Sequence, residues 1–476
     1  MVGRSRWQNN FSEWFNEIVQ VAEIMETRYP VKGLYVWLPY GLKLRNHVIS
    51  ALKELLEQTG HREVLFPLLI PENLFKKEAE HIRGFEGQVY CVTHGGHDRL
   101  DIRLALRPTS ETAMYPMFSL WIQSHADLPL KIYQVVNVFR YETKMTKPLI
   151  RLREVTTFKE AHTAHATAED AERQIREAIQ IYKQFFDRLC IPYNITKRPS
   201  WDTFAGAVYS IAFDTLAPDG RTLQIGTVHN LGQNFSRVYD VQYERVDGSY
   251  EHVYQTCYGI SERAIAALIM VHGDDIGMCL PPEFAPIQVV IVPIPYKDVQ
   301  APIEQTCTEI CERLKQAGLR VELDLRDLRP GNKYYYWERR GVPLRIELGP
   351  TDHANQRVTA VRRDTGERIH VSLDQVAERV PQLLREIETS MRKRAWEEFR
   401  KRIKTVASVD ELQNAVHNRN VGRVPWCGNE KCGLEIEERV EGSVLGEELF
   451  TEAPKNRSCV VCSQQANKWL VVARTY

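Results

Sequence analysis

The sequence has no long apolar run. No stretch approaches the roughly 20 consecutive apolar residues that a membrane-spanning helix requires. The opening residues "MVGRSRWQNN" are polar, where a secretory signal would carry an apolar core. We therefore expect no membrane partner and a cytoplasmic location.

An excess of charge of either sign is also lacking. The 62 Lys and Arg residues equal the 62 Asp and Glu residues, so the formal net charge is zero. A polyanionic partner would have to be held by local basic patches, since there is no global basic field. The 476 residues are 43% hydrophobic and 26% charged, which is ordinary for a globular protein of about two to four domains.

The ten cysteines predict thiols and metal ligands rather than disulfides. Six are scattered and are expected to be thiols in a reducing compartment. The other four are Cys427, Cys432, Cys459 and Cys462, spaced C-x4-C, then 26 residues, then C-x2-C. Four thiolates suit a tetrahedral zinc, and an all-cysteine site is usually structural. The alternative is four unrelated cysteines.

The first seventy residues predict helices and strands in turn. Apolar residues recur at helical spacing over 11–28 and 42–58, and Gly60 is a natural stop. "GLYVWLPYG" between them predicts a strand that ends in a turn. "EVLFPLLIP" predicts a buried strand, and Pro67 fits an edge or interface strand better than a central one.

The middle of the chain predicts an antiparallel sheet. "KIYQVVNVFRYE" and "LREVTTFKEAHTAHA" form an expected strand pair with "KMTKPLI" as the loop between them. A charged amphipathic helix is predicted over 167–190. "YSIAFDTL", "TLQIGTVHNL" and "VYDVQYERV" predict further strands, and "GISERAIAALIMVHG" predicts a glycine-led helix with an arginine in its first turn.

The composition changes near residue 285. Strands such as "IQVVIVPI" and "PLRIELG" alternate with helices, one of them over 331–340, as in a small α/β domain with a mixed sheet. Residues 374–404 predict a long helix that ends in the basic run "RKRAWEEFRKRIK". That run fits a solvated helix face, with contact to a nucleic-acid backbone as the alternative.

Two arginines and one histidine are candidates for chemistry. Arg140 in "FRYE" and Arg263 at the head of an apolar helix offer guanidinium groups, whose fork of donors suits phosphate. Each alone would more often be a surface ion pair. In "QIGTVHNLGQNF", Thr227 and His229 share one face of a strand, although a single histidine is more often structural.

The segment "RPTSETAMYP" also allows both a structural and a functional interpretation. Pro108 and the hydroxyl residues suit the entry of a helix, with Glu111 in its first turn. Alternatively, Thr109 and Glu111 face a ligand.

Taken in order, these motifs resemble a known family. "RPTSET", "FRYE", "LIRLREVTTFKEAHTAH", "QIGTVHNLGQNF" and "GISERAIAALIMVHGD" resemble the class II aminoacyl-tRNA synthetases, and within them the prolyl-tRNA synthetases of the archaeal and eukaryotic-like type. The resemblance implies three domains: an α+β catalytic domain on an antiparallel sheet flanked by helices (1–283), an α/β anticodon-binding domain (284–382) and a small zinc-containing α+β C-terminal domain (383–476).

The resemblance also implies roles for individual residues. Arg140 and Arg263 would be catalytic. The proline site would consist of Thr109, Glu111, Arg140, Phe158, Glu160, His162, His229 and Ser261. The site for ATP, with its magnesium, would consist of Arg140, Glu142, Arg151, Leu152, Gln224, Thr227 and Arg263.

The expected partners follow from the same family: tRNA(Pro), L-proline, ATP and a second copy of the chain, but no DNA. The acids and arginine of "YYYWERRGVPLRIELGPTD", namely Glu338, Arg345 and Glu347, would read a guanine-containing anticodon. For each of them, a solvated face with structural ion pairs is the alternative. "EVLFPLLIP" would lie at the dimer interface, and Tyr476 would end near the active site.

Relatives of the bacterial type carry a large editing domain before the last motif. Here only about ninety residues separate His165 from Gln255, which leaves no room for it. Two alternatives remain at this stage: another class IIa synthetase, for threonine, glycine or histidine, and a synthetase-like regulator that does not charge tRNA.

Overall fold

The computed structural model describes residues 3–75, 77, 87–294 and 300–476. Two 3₁₀ turns, His125–Asp127 and Ser200–Asp202, accompany its helices. In chain order the helices are α1 Ser5–Asn9, α2 Phe11–Val21, α3 Pro39–Gln58, α4 Glu72–Phe75, α5 Glu111–Trp121, α6 Ala168–Arg188, α7 Asn234–Val238, α8 Arg263–His272, α9 Gln300–Gln316, α10 Pro330–Arg339, α11 Pro350–Ala354, α12 Val376–Lys401, α13 Val409–His417 and α14 Glu430–Arg439.

The strands of the described residues form one large sheet and several small ones. In chain order they are β1 Met25–Glu26, β2 Val36–Trp37, β3 Arg62–Glu63, β4 Leu69–Pro71, β5 Cys91–Gly95, β6 Asp98–Leu106, β7 Leu130–Phe139, β8 Glu154–His165, β9 Asn194–Lys197, β10 Tyr209–Leu216, β11 Arg221–Gly232, β12 Gln242–Glu244, β13 Tyr250–His252, β14 Tyr254–Ile260, β15 Val289–Pro293, β16 Val321–Leu323, β17 Leu344–Leu348, β18 Arg357–Arg362, β19 Arg368–Ser372, β20 Ile403–Thr405, β21 Val421–Trp426, β22 Ser443–Glu448 and β23 Lys468–Thr475.

The large sheet has eleven strands in the order β20-β21-β23-β22-β9-β10-β11-β14-β8-β7-β3. Its centre, from β9 to β7, is antiparallel throughout. The predicted pairing of β7 with β8 is confirmed, and the expected α+β architecture on an antiparallel sheet with it. Because alternate residues of a strand point to opposite faces, one face can carry a core while the other carries a site.

Helices α6 and α8 cover the core face of this sheet. Apolar residues of α6 recur at helical spacing, and Tyr182 and Phe186 pack against Phe213 of β10. Thr167 caps the helix by accepting a hydrogen bond from the N–H of Asp170. The helix predicted over 167–190 is thus confirmed, and the opposite face of the sheet is left for the functional groups.

The C-terminal segment joins the same sheet. Strand β22 pairs with β9, and the last strand, β23, runs parallel to β11 at Arg221↔Arg474 and Thr222↔Thr475. Backbone hydrogen bonds therefore tie the end of the chain to the catalytic strands. The sequence analysis predicted a C-terminal domain here and did not reveal that its strands extend the large sheet. The limits 1–283 and 383–476 stay a prediction.

Residues 289–372 form the predicted mixed sheet, in the order β16-β15-β17-β18-β19. The first three strands are parallel, and β18 and β19 are antiparallel to their neighbours. Helices α9 and α12 bury Ile303, Leu314 and Ile387 against it. The small α/β domain is confirmed.

The prediction of one buried strand at "EVLFPLLIP" is wrong. Its two ends belong to different sheets, since β3 joins the large sheet and β4 pairs with β6. Pro67 lies between them, where a residue without a backbone N–H interrupts any ladder. Leu65 is 82% exposed, whereas Phe66 and Ile70 are buried in two different clusters, so the run is not one buried strand.

Four other element boundaries differ from the sequence predictions. The first long helix ends at Val21. "GLYVWLPYG" contributes only β2 before α3 begins at Pro39, a favoured first helical position for proline. "VYDVQYERV" yields the short β12. Gly259 is part of β14, which the sequence analysis missed because the strand runs directly into α8.

Candidate active site

One cavity of about 410 Å³ opens on the functional face of the large sheet. All the residues predicted to bind proline or ATP line it: Thr109, Glu111, Arg140, Glu142, Arg151, Leu152, Phe158, Glu160, His162, Gln224, Thr227, His229, Ser261 and Arg263. We call this cavity the chamber. Residues separated by more than 150 positions in sequence meet there, which a set of unrelated surface ion pairs would not do.

The sheet register places several of these side chains in rows. Thr227 on β11, Gly259 on β14 and Glu160 on β8 lie opposite one another across three adjacent strands. Two residues further along, His229, Cys257 and His162 form a parallel row. Residues two apart on a strand share a face, so both rows point into the chamber.

A β-bulge adds Gln224 to the same face. Gly226 pairs with Phe213 and Gln224 with Asp214, so Ile225 is an extra residue with no partner on β10. An extra residue resets the alternation of side chains. Gln224 thereby faces the chamber together with Thr227, although the odd spacing between them predicts opposite faces.

Glu160 is the centre of a buried hydrogen-bond network at one end of the chamber. Its carboxylate accepts from the backbone N–H of Ser110 at 3.1 Å, from the Ser110 hydroxyl and from Gln134 Nε2 at 3.0 Å, and it lies 3.4 Å from His162 Nε2. Burial alone would raise the pKa of Glu160, but these donors outweigh it and hold that pKa below its ordinary value.

The hydroxyl-capping interpretation of "RPTSET" is only partly right. Helix α5 does begin at Glu111, and Ser110 occupies the N-cap position, but its side chain makes no capping hydrogen bond. The hydroxyl is directed to Glu160 instead. Thr109 donates to Glu111 Oε2 at 2.5 Å, and both residues are buried at the chamber wall. The segment therefore supplies chamber groups rather than a simple cap.

His229 forms a neutral wall beside these carboxylates. Burial lowers the pKa of His229 to about 3, with repulsion from His162 as a smaller cause. Its Nδ1 lies 2.7 Å from the Ser210 hydroxyl, and its ring packs on Phe204 with centroids 4.7 Å apart. An uncharged imidazole and a phenyl ring suit a compact apolar group, and Phe204 was not predicted.

Arginines dominate the other end of the chamber. Arg140 donates from Nε to the Pro108 carbonyl at 3.0 Å, and Arg263 donates from Nε to the Ile150 carbonyl at 3.0 Å. Burial, with repulsion from Arg140 and Arg151, lowers the pKa of Arg263 to about 10. The group is still charged at neutral pH, so the cluster attracts anions.

The four C-terminal cysteines converge. Cys427 Sγ lies 3.8 Å from Cys432 Sγ and 3.7 Å from Cys462 Sγ, and Cys459 Sγ belongs to the same group. A zinc tetrahedron with bonds of about 2.3 Å has edges of about 3.8 Å. The geometry of the thiols therefore fits a tetrahedral metal and does not fit four unrelated cysteines.

The three residues predicted to read the anticodon contact one another. Arg345 donates to Glu347 at 2.9 Å and to Glu338 at 2.6 Å, and Arg368 donates to Glu347 at 2.6 Å. Glu347 is only 3% exposed. These are the contacts of an ion-pair chain, and a role in reading bases stays a prediction.

Family models match most of the chain. The "tRNA synthetase class II core domain (G, H, P, S and T)" matches residues 90–272. The "Anticodon binding domain" matches residues 288–383, and the "Prolyl-tRNA synthetase, C-terminal" model matches residues 409–476. No described helix is long and apolar enough to cross a membrane.

Sequence comparison with curated proteins identifies the family. A "Proline--tRNA ligase" of Methanosarcina mazei is 53% identical over 466 residues, covering 98% of this chain and 97% of that protein. One of Pyrococcus abyssi is 53% identical over 480 residues, covering 100% of each. The chain belongs to the prolyl-tRNA synthetase family. The threonine, glycine and histidine alternatives are thereby set aside.

Solved structures of prolyl-tRNA synthetases share the fold. The "Giardia lamblia Prolyl-tRNA synthetase in complex with prolyl-adenylate" superposes with a TM-score of 0.97 at 37% identity and covers 100% of both chains. The Cryptosporidium parvum enzyme "complexed with Halofuginone and AMPPNP" has a TM-score of 0.95 at 32% identity and covers 100% of this chain and 99% of its own.

For a prolyl-tRNA synthetase site, sequence reasoning missed two positioning groups. Arg198 donates to Asp214 at 2.9 Å, to Gln224 Oε1 at 3.0 Å and to the carbonyl of Leu445 at 2.7 Å. It thus links the C-terminal segment to the chamber wall. A lone arginine in "TKRPS" gives no signal for this, because its partners come from three distant segments.

Glu262 is the second missed group. Burial raises the pKa of Glu262 to about 7, and its carboxylate accepts from the backbone N–H of Thr156 at 2.6 Å. The residue directly precedes Arg263, so this contact fixes the start of α8 against β8. Glu262 directly precedes the candidate Arg263 in the motif "SER". An acidic residue at this position is equally typical of a surface, so the sequence alone did not identify it.

Proposed function

We propose that this chain activates L-proline with ATP, forming prolyl-adenylate and pyrophosphate, and then transfers the prolyl group to the 3′ end of tRNA(Pro). The observation that carries this proposal is the polarity of the chamber. Glu111, Glu160 and a neutral histidine lie at one end, Arg151 and Arg263 lie at the other, and Arg140 lies between them.

The carboxylate end suits proline. The imino nitrogen of proline is cationic. Glu111 is a buried carboxylate that accepts a hydrogen bond from Thr109. The pyrrolidine ring fits against Phe204 and the neutral His229. Glu160, His162 and Ser261 complete the pocket in this proposal. Buried opposite charges interact more strongly than they would in water, so the pocket selects a cationic amine attached to a small apolar ring.

The arginine end suits the phosphates of ATP. The proline carboxylate attacks the α-phosphorus, the bond to the β-phosphate oxygen breaks, and pyrophosphate leaves. Both reactants bring negative charge to one point, so positioning and charge neutralisation do the work and no protein nucleophile is needed. Arg140 would hold the α-phosphate and Arg263 the terminal phosphates. Glu142, Arg151 and Leu152 would line the nucleotide pocket.

Magnesium would accompany ATP as part of the substrate. Hard oxygen donors suit it, and Gln224 and Thr227 present such oxygens beside Arg263. In the second step a terminal ribose hydroxyl of the tRNA attacks the prolyl carbonyl, and AMP leaves. The domain proposed over 284–382 would hold the anticodon, with Glu338, Arg345 and Glu347 as its candidate contacts. The cytoplasm is the compartment we propose.

The test of this function is exchange of pyrophosphate into ATP. We expect exchange that depends on proline and is far slower with threonine, glycine or histidine at equal concentration. ATP binding without any proline-dependent exchange would contradict the proposal and would favour the non-charging regulator instead.

A structural zinc on the four C-terminal cysteines is part of the same proposal. The thiols present a closed set of ligands, which is typical of structural rather than catalytic zinc. The strand β22 of this segment also supplies the Leu445 carbonyl that holds Arg198. Zinc here would stabilise the segment that positions one wall of the chamber.

We expect no editing of mischarged tRNA by this chain. An apolar pocket discriminates one methylene by only about 1–3 kcal/mol, so alanine and cysteine should be activated at a measurable rate. The segment between β8 and β14 consists of α6, β9–β11, α7 and the β12–β13 hairpin. Incubating the protein with Ala-tRNA(Pro) should give no deacylation above the buffer rate, and clear hydrolysis would refute this expectation.

A homodimer would cover an exposed apolar surface beside β3 and β4. Leu65 is 82% exposed, and Leu68, Leu69 and Trp121 are partly exposed in the same region. Phe66 packs on Trp121 with centroids 5.7 Å apart, which joins these residues into one patch. Contiguous exposed apolar area of this kind marks interfaces.

Replacing Leu65 with glutamate should therefore separate the two copies. We expect light scattering to give twice the chain mass for the unaltered protein and a shift towards the single-chain mass for Leu65→Glu. Leu325→Glu is the matched control, because Leu325 is 54% exposed and follows β16, which belongs to the separate five-stranded sheet. A single-chain mass for the unaltered protein would contradict the dimer.

A further inference from the structure

Cys257 is a chamber residue that the proposed reaction does not use. It lies on β14 between His162 and His229 in the row across the three strands. The residue is only 4% exposed, yet it lines the chamber together with Glu111 and His162. Neither proline recognition nor phosphate chemistry requires a thiol at this position.

The thiol is not isolated. One carboxylate oxygen of Glu111, one ring nitrogen of His162 and Cys257 Sγ all lie within 4.8 Å of one another. Thiolate, imidazole and carboxylate are the side chains that bind zinc in proteins, and three such ligands with an open fourth position differ from the closed set of four in structural zinc sites. The fourth position here would face the chamber.

The surroundings orient these ligands. His162 Nδ1 lies 2.9 Å from the Tyr115 hydroxyl and Nε2 lies 3.4 Å from Glu160 Oε2, so a metal on Nε2 would replace the contact with Glu160. Thr109 donates to Glu111 Oε2 at 2.5 Å. His162 and Cys257 are directly opposite residues on two paired strands, so their spacing is fixed by the backbone. Fixed outer contacts of this kind raise the affinity of a metal site.

We propose that Glu111, His162 and Cys257 form a site for a thiol-binding divalent cation such as Zn²⁺, and that its occupation excludes proline. Binding releases the thiol proton to solvent and places a dication against the carboxylate. The exclusion of proline rests on the proposed function, in which Glu111 holds the imino nitrogen. Free zinc would then inhibit the first half-reaction by competing with the amino acid.

This site differs from the four-cysteine cluster in the number of ligands. The cluster offers four thiols and no open position, whereas the chamber offers one thiol, one imidazole and one carboxylate. A site with fewer thiolate ligands and an open position holds zinc less firmly. The cluster should therefore fill first, and the chamber only when zinc is in excess.

The experiment counts zinc bound to the full-length protein. Protein is first loaded with one zinc per chain and then dialysed against increasing Zn²⁺ in a buffer without thiols, and bound metal is measured by mass spectrometry. We expect a second zinc per chain in the unaltered protein and none in Cys257→Ser. With proline at about ten times its dissociation constant, simple competition should lower the apparent affinity of the second zinc about tenfold.

Cys190→Ser is the matched control. Cys190 is also a buried thiol, but its Sγ contacts the backbone carbonyls of Arg188 and Glu388 and lies near the Arg392 side chain, and it belongs to neither group of potential metal ligands among the described residues. It should retain the second zinc. Thermal unfolding of both variants checks that they fold, and the proline competition is measured on the unaltered protein, so the test does not depend on either variant.

A single zinc per chain at all concentrations would overturn the site, and so would a second zinc that persists in folded Cys257→Ser. A second zinc that is lost in Cys257→Ser but unaffected by proline would support the metal site. That result would overturn the exclusion of proline and, with it, the placement of proline on Glu111.

Discussion

Replacing Arg140 with glutamine should reduce proline-dependent ATP–pyrophosphate exchange by about 10²–10³-fold, the typical effect of removing one preorganised donor from a site of developing charge. Arg140 lies between the two ends of the chamber. Its guanidinium carbon is 5.6 Å from the centre of the Phe158 ring, and its Nε donates a hydrogen bond to the Pro108 carbonyl. A neutral amide there cannot offset the charge that the carboxylate and phosphate bring together.

The measurement is the exchange rate at saturating ATP and proline, with unfolding followed separately. Arg313→Gln is the control, because Arg313 is an exposed arginine of α9 that contacts only the carbonyls of Leu373 and Asp374. It should leave the rate within about twofold, as most surface substitutions do. Equal losses in both variants, or a loss in Arg140→Gln that follows unfolding, would remove Arg140 from the reacting centre.

Replacing Glu111 with glutamine should raise the KM for proline by about 10²-fold or more, because removing one partner from a buried charge pair costs about 3–5 kcal/mol. The KM for ATP should change little, since the phosphates are proposed to lie at the arginine end. Glutamine keeps the size of the side chain and its contact with Thr109. The change therefore isolates the charge.

Glu57→Gln is the control for this variant. Glu57 accepts a hydrogen bond from the Tyr133 hydroxyl at 2.9 Å and does not line the chamber. Both KM values should stay unchanged in it. If Glu111→Gln weakened proline and ATP equally, or only lowered the unfolding temperature, Glu111 would be a structural residue of the α5 entry rather than the partner of the imino nitrogen.

Strand periodicity predicted one pair of the site: Thr227 and His229 share a face, as their spacing of two requires. The resemblance to the family supplied Glu160 and His162, which share a face of β8 on the far side of β14. It did not supply Phe204, Arg198 or Glu262, which also line the chamber. What local spacing could not give was the bulge at Ile225, which turns Gln224 inward. An inserted residue in a ladder leaves no mark in the sequence of one strand.

Contacts between distant segments were also beyond prediction. Arg198 depends on Asp214, Gln224 and the carbonyl of Leu445 at once. The strands of the C-terminal segment each have their own pattern of apolar residues, and this pattern alone does not distinguish a separate domain from an extension of the large sheet. Their pairing with β9 and β11 is decided by sheet edges that exist only after folding.

The wrong prediction for "EVLFPLLIP" has a different cause. Apolar composition predicts that a segment is covered but does not say by what. Leu65 is exposed in the chain, whereas Phe66 and Ile70 are buried in two different clusters, so the residues of the run do not share one environment. Intramolecular and intermolecular burial select the same residue types, and only the structure separates them.

The most direct test of the account is a crystal structure with a non-hydrolysable mimic of prolyl-adenylate. We expect the pyrrolidine ring to pack against His229 and Phe204, with its nitrogen within hydrogen-bonding distance of the Glu111 carboxylate. The group that replaces the phosphate should contact Arg140. A mimic bound with its pyrrolidine ring among Arg140, Arg151 and Arg263, or outside the chamber, would contradict the assignment of the two ends.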